Sequence, residues 1–95
     1  MKFEDINNNK NIYLYLGDIP KQRIDYNKIK FVGLSLNIND EHHIQHDVTK
    51  PIPLNANSVD IVQSEDVMEH IEYSILKDVI NEIYRVLKLS LIHIS

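Results

Sequence analysis

The sequence predicts an α/β domain, a parallel sheet with flanking helices, and three observations carry that prediction. Ile12-Tyr13-Leu14-Tyr15-Leu16 is continuously apolar and stops at Gly17. A run of that kind, bounded by turn residues, reads as a strand covered on both faces. Residues 30–36 repeat the pattern, with Phe31 and Val32 near the start. From about 74 to 88, Ile75, Leu76, Val79, Ile80, Ile83 and Leu87 recur at steps of three and four, the spacing of one helical stripe. Buried strands and an amphipathic helix in one short chain are satisfied by laying the helix on the sheet.

Taken in order, residues 1–11 form a lead-in whose stretch 7–10 reads as a frayed end or a turn. The first strand spans 12–16, and Pro20, which has no amide donor, ends the segment. Residues 21–30 are polar and mixed, a loop or a single helical turn. The second strand covers 30–36, and the turn chemistry of 37–41 leads to a shorter third strand at 43–46. Pro51 and Pro53 keep 49–54 out of helix and sheet interior. After the turn at 55–58, residues 59–64 form the fourth strand. A short helical piece at 66–73 precedes the main helix. Glu82 and Arg85 stand three apart on the polar side of that helix, close enough to pair weakly.

Composition narrows the function classes. The 95 residues are 43% hydrophobic, enough for one small domain with a modest core. Only two glycines are present, Gly17 and Gly33, so neither a complete G-x-G-x-x-G fingerprint nor a P-loop can be written. A net charge of −4 counts against a general nucleic-acid binder. There is no cysteine, hence no disulfide framework and no thiolate metal site. No apolar run approaches the roughly 18 residues of a membrane span, and the first ten residues lack a signal-peptide core. The expected location is the cytoplasm.

Three segments resemble class I S-adenosylmethionine-dependent methyltransferases. They are Tyr13-Leu14-Tyr15-Leu16-Gly17-Asp18-Ile19-Pro20; His46-Asp47-Val48-Thr49-Lys50-Pro51-Ile52-Pro53-Leu54 followed by 57–62; and Ser64-Glu65-Asp66-Val67-Met68-Glu69-His70-Ile71 with 82–88 beyond it. The resemblance covers 12–88 and implies a partial Rossmann-like methyltransferase fold lacking its C-terminal strands. Residues 89–95 then stand where such proteins continue with Pro-Gly-Gly, as a tail of foreign sequence on a truncated domain. The implied cofactor is S-adenosylmethionine. The implied cofactor-binding residues are Gly17 in the first turn, Ser35 where the family has a ribose-binding acid, Asp47 and Val48 at the adenine, and Ser64 and Glu65 near the sulfonium. Glu69 and His70 are the catalytic candidates: a histidine can receive a proton from an acceptor hydroxyl or amine. The implied partner is a small-molecule or glycan acceptor. The truncation implies that the fragment alone has no turnover.

Two features leave a second reading open. Asp18-Ile19 fills the place of the family's second glycine, and Ser35 is uncharged. A non-catalytic binding or scaffold domain, with the fold kept and the cofactor loop lost, fits both. His42, His43 and His46 invite a metal reading, but on a strand His42 and His46 would stand roughly 13 Å apart at ~3.3 Å per residue, too far to share an ion. No metal is expected.

Overall fold

The structure is a computed structural model that describes residues 1–21, 30–64 and 67–88. Four strands, β1 (Tyr13–Leu16), β2 (Val32–Ser35), β3 (His43–Gln45) and β4 (Ile61–Ser64), make one sheet in the order β3-β2-β1-β4, with every pairing parallel. The helix α1 (Tyr73–Val86) follows, and single 3₁₀ turns occupy Phe3–Asp5 and Met68–His70. The α/β reading of the sequence therefore holds, and the strand order is that of a Rossmann-like half-sheet. Its direction reverses at β1, where doubly wound folds open a crevice at the carboxyl ends of the strands.

Register divides the sheet into two unlike faces. Leu14, Leu34, Ile44 and Val62, with Leu16, lie on one side and join a single apolar cluster with Val79, Ile83 and Val86 of α1. Ile52 and Leu54 enter the same cluster from the proline segment, while Pro51 and Pro53 stay exposed. The opposite side carries Tyr13, Tyr15, Gly33, Ser35 and His43. There Tyr13 and Tyr15 both meet Phe31 edge-on, at centroid distances of 6.3 and 6.2 Å. Their alternation is thus sheet packing, and Tyr15 is buried.

The helix ends at Val86, two residues earlier than its apolar spacing predicts. Leu87 is extended and bridges Val59 in parallel. The amides of Asn57, Ser58 and Val59 donate to the carbonyls of Arg85 and Val86, so the turn before β4 satisfies acceptors that a helix end otherwise leaves open. Asn57 adopts φ +60° to do so. Residue 59 is consequently occupied with the helix end, and β4 begins only at Ile61. The buried line of α1 is Val79, Ile83 and Val86, while Ile75 in its first turn remains 37% exposed.

The lead-in is more ordered than its polarity suggests. Ile6 is buried in the main cluster and Phe3 packs against it. The Met1 ammonium donates to Asn39 Oδ1 at 2.8 Å and to the Asp40 carbonyl at 3.1 Å. Residues 7–10 follow as a turn closed by Asn9 N–H to the Ile6 carbonyl. Most of the predicted 21–30 loop and the 89–95 tail lie outside the described residues.

Candidate functional site

A cleft of about 430 Å³ opens at the carboxyl ends of the strands. Gly17 and Asp18 come to it from the end of β1, Leu36 and Asn37 from β2, and Asp47, Val48 and Thr49 from β3. Val67, His70 and Ile71 close it from the segment after β4, and Glu72 and Ile75 from the start of α1. The topology thus gathers residues far apart in sequence on one edge of the sheet, as a switch-point crevice requires.

Gly17 is necessary to the cleft floor for two reasons. Its φ of +105° is a conformation that side-chain-bearing residues rarely adopt. A β-carbon there would also stand 2.8 Å from Val67 Cγ2. The contact that excludes a side chain here is thus with the opposite wall of the cleft. Gly17 N–H donates to the Leu34 carbonyl at 2.9 Å, which extends the β1–β2 pairing into the turn.

Ser35 does not itself reach the cleft. It is fully buried, its hydroxyl donates to Asp18 Oδ1, and it accepts from the amides of Asn37 at 3.2 Å and Ile38 at 3.0 Å. One donor and two acceptor sites are all that a hydroxyl has. The carboxylate of Asp18 is the group exposed on the cleft side of that clasp.

Asp47 and Val48 both line the cleft, half-buried. Asp47 Oδ1 accepts from the Thr49 hydroxyl at 2.7 Å and the Thr49 amide at 2.9 Å, which closes an Asx turn. The Thr49 hydroxyl and then its N–H hold the Asp47 carboxyl below its ordinary value of 3.8, so it is ionised at neutral pH. Asp18, Asp47 and Glu72 put three acidic side chains around the cleft, and no lysine or arginine is among its described lining residues.

His70 lines the cleft from the 3₁₀ turn, whereas Glu69 beside it is exposed and not part of the described lining. Ser64 ends β4 in register with Leu16, buried, and its hydroxyl has no partner among the described residues. Glu65 lies outside the described residues. The three histidines of the β3 region point to different tasks. His43 is buried, His42 stands 3.6 Å from Glu41, and His46 meets the Phe3 ring edge-on at 5.2 Å.

The family model described as a methyltransferase domain matches residues 7–90. The chain belongs to that methyltransferase domain family. No curated protein matches it. With its parallel sheet in the order β3-β2-β1-β4, the methyltransferase domain is of the class I type, and methyl transfer is its reaction class.

Several residues that shape this methyltransferase domain carry little sequence signal. His43 lies across Gly33, accepts the Ile19 N–H on Nε2 at 3.0 Å, and bonds Asp40 through Nδ1 at 2.9 Å. A backbone N–H can only donate, so Nε2 is the unprotonated nitrogen and the proton sits on Nδ1, facing Asp40. Arg85 is the second case. Beyond the weak pair with Glu82, it donates to the carbonyls of Leu54 at 2.9 Å and Ile52 at 2.7 Å, and Glu82 accepts the Ile52 amide. The pair therefore fastens the proline segment, and through it the Asp47 turn, to α1. Asp60 is the third. Burial pushes its carboxyl up, but Lys88 at 2.9 Å and the Ile12 amide outweigh that and hold it low. The one sequence signal among these was His43, a polar residue beside Ile44 in a strand.

Proposed function

We propose that the cleft holds S-adenosylmethionine and that the domain directs its methyl group to a small-molecule or glycan acceptor. The observation that carries this reading is the cleft itself: a positive-φ glycine floor at the carboxyl ends of parallel strands, ringed by carboxylates. The cofactor carries a sulfonium and an ammonium against one carboxylate, so acidic walls suit it and would repel a nucleotide phosphate. The residues present fit the group. Val48, Leu36 and Ile71 offer apolar surface to a purine, Gly17 leaves room at the floor, and Ser64 holds a buried hydroxyl without a described partner at the adjoining strand end. When bound, the group supplies an electrophilic methyl; the protein supplies position and electrostatics.

In this reading Asp47, already fixed through Oδ1, accepts the exocyclic amine of the adenine on Oδ2. His70 brings an imidazole to the cleft, where it could receive the proton that an acceptor gives up. A thermal-shift titration of the 95-residue chain with S-adenosylhomocysteine tests the proposal. A ligand at a hundred times its Kd stabilises the native state by about 2.7 kcal/mol. For a domain of this size that is a rise in Tm of roughly 10 °C or more. No rise at millimolar ligand would instead favour the scaffold reading, in which Asp18-Ile19 marks a turn that no longer takes a cofactor.

A further inference from the structure

We propose that Asp18, on the turn after β1, is the residue that binds the ribose diol of the cofactor, with Ser35 of β2 as its positioning residue. The inference rests on the cofactor reading above and assigns one part of it. Along the sheet edge the cleft presents Asp47 and Val48 after β3, then Leu36 and Asn37 after β2, then Gly17 and Asp18 after β1, with the Asp18 carboxylate reaching across to Ser35 at the end of β2, then Val67 and His70 beyond β4. An adenosine with an amino-acid arm is a linear molecule with its sugar in the middle. With the adenine at Asp47 and the sulfonium end over Gly17, the sugar lies against the end of β2. The carboxylate found there comes from Asp18.

Three contacts hold this acid in place. Ser35 donates its hydroxyl to Oδ1, and Ser35 is in turn fixed by the amides of Asn37 and Ile38. On either side of Asp18 the backbone is tied, Gly17 N–H to the Leu34 carbonyl and Ile19 N–H to His43 Nε2. A carboxylate has about four acceptor positions, so one bond from Ser35 leaves enough for two vicinal hydroxyls. A preorganised acceptor loses little freedom on binding. Ser35 cannot take this task itself, because it is buried and its hydroxyl is fully used.

Isothermal titration of the 95-residue chain with S-adenosylhomocysteine and with its 2′-deoxy and 3′-deoxy counterparts tests the assignment. In the wild-type chain, removing a ribose hydroxyl is expected to weaken binding about ten- to hundredfold, the range for a hydrogen bond to a charged group. Asp18→Asn keeps an acceptor for Ser35 and changes an exposed position, so the fold is expected to survive, as far-UV circular dichroism would report. It should bind the ribose ligand about ten- to hundredfold more weakly, and its loss relative to the wild type should be smaller for each deoxy ligand, which keeps only one of the two hydroxyls. Ser35→Ala, which leaves the carboxylate but frees it, should show the same selectivity for the ribose ligand with a smaller loss. Equal losses for ribose and deoxy ligands in Asp18→Asn, or no loss, would overturn the assignment and place Asp18 at the ammonium or at nothing. No binding of S-adenosylhomocysteine by the wild-type chain would overturn the cofactor reading, and the ribose assignment with it.

Discussion

Replacing Gly33 by alanine probes the least visible support of the site. Its added Cβ would stand 2.4 Å from His43 Cδ2 and 3.0 Å from both His43 Nε2 and the Gly17 carbonyl oxygen. Carbon atoms pack at about 3.5–4.0 Å, so relief requires the imidazole to retreat by roughly 1 Å or more. The ring has nowhere to go at constant bonding, since Nε2 sits 3.0 Å from Ile19 N and Nδ1 2.9 Å from Asp40. A retreat of that size takes the first of these beyond hydrogen-bond range. Overpacking costs about 1–3 kcal/mol and a buried amide left without its acceptor about 1–3 kcal/mol more. The reduced backbone freedom of the unfolded chain returns about 0.4–1 kcal/mol. A net loss of about 1–5.5 kcal/mol is expected, against a total stability of roughly 5–14 kcal/mol at this length. Urea unfolding of Gly33→Ala, alone and combined with His43→Ala, measures it. In the His43→Ala background the ring is gone, and the alanine at 33 should cost at least about 1 kcal/mol less, a coupling of the size that contacting residues show. Equal costs in the two backgrounds would refute the contact between Gly33 and His43 as the reason for the glycine.

Two further predictions concern the cleft floor and the α1 clamp. Gly17→Ala combines a φ of +105° with a 2.8 Å approach to Val67 Cγ2. It should lower stability by about 1–3 kcal/mol and, by shifting the Val67 wall, reduce the thermal shift given by S-adenosylhomocysteine; a full shift in this variant would show that the floor is not where the ligand lies. Glu82 is held below its ordinary value of 4.5, first by the Arg85 hydrogen bond and also by the Ile52 amide. A folded carboxyl with a lowered pKa contributes fully above its unfolded value and loses that contribution as pH falls through the folded one. Unfolding free energy should therefore decline below about pH 4.5 in the wild-type chain, and Glu82→Gln should flatten the decline while lowering stability at pH 7. An unchanged acid slope in Glu82→Gln would remove the clamp from the account.

How much of this was legible in the sequence depended on the kind of interaction. Strands of continuous apolar residues were readable because burial on both faces leaves no alternation to mistake: Leu14, Tyr15 and Leu16 are all nearly inaccessible. Their ends were less so. Residue 59 has an apolar side chain that suits a strand, yet its N–H and carbonyl serve the end of α1 and Lys88, a pairing across the chain that no local pattern encodes. In the site, Gly17, Asp47, Val48 and His70 were named by the family resemblance, and they do converge on one cleft. Ser35 was named by the same resemblance but is consumed inside the fold, because what decides its role is Asp18, seventeen positions away. Asp18 itself read as a defect in a turn. Its partner could be known only once β1 and β2 were set side by side.

That turn also explains how a chain so poor in glycine builds this cleft. A glycine-rich turn reaches its conformation through freedom of the backbone. Here Gly17 alone supplies the positive φ, and the next two residues are held by side chains from neighbouring strands: Asp18 by Ser35 of β2, Ile19 by His43 of β3. Ile19 is also buried, so the position that lacks a second glycine contributes apolar contact as well as a fixed amide. Gly33 belongs to the same arrangement, since only a residue without a side chain lets the His43 ring cross the sheet to reach Ile19. The two glycines are thus spent on one turn, one inside it and one beneath the ring that braces it. A turn braced from two neighbouring strands is more rigid than a glycine loop, which is the property a fixed carboxylate at Asp18 would require.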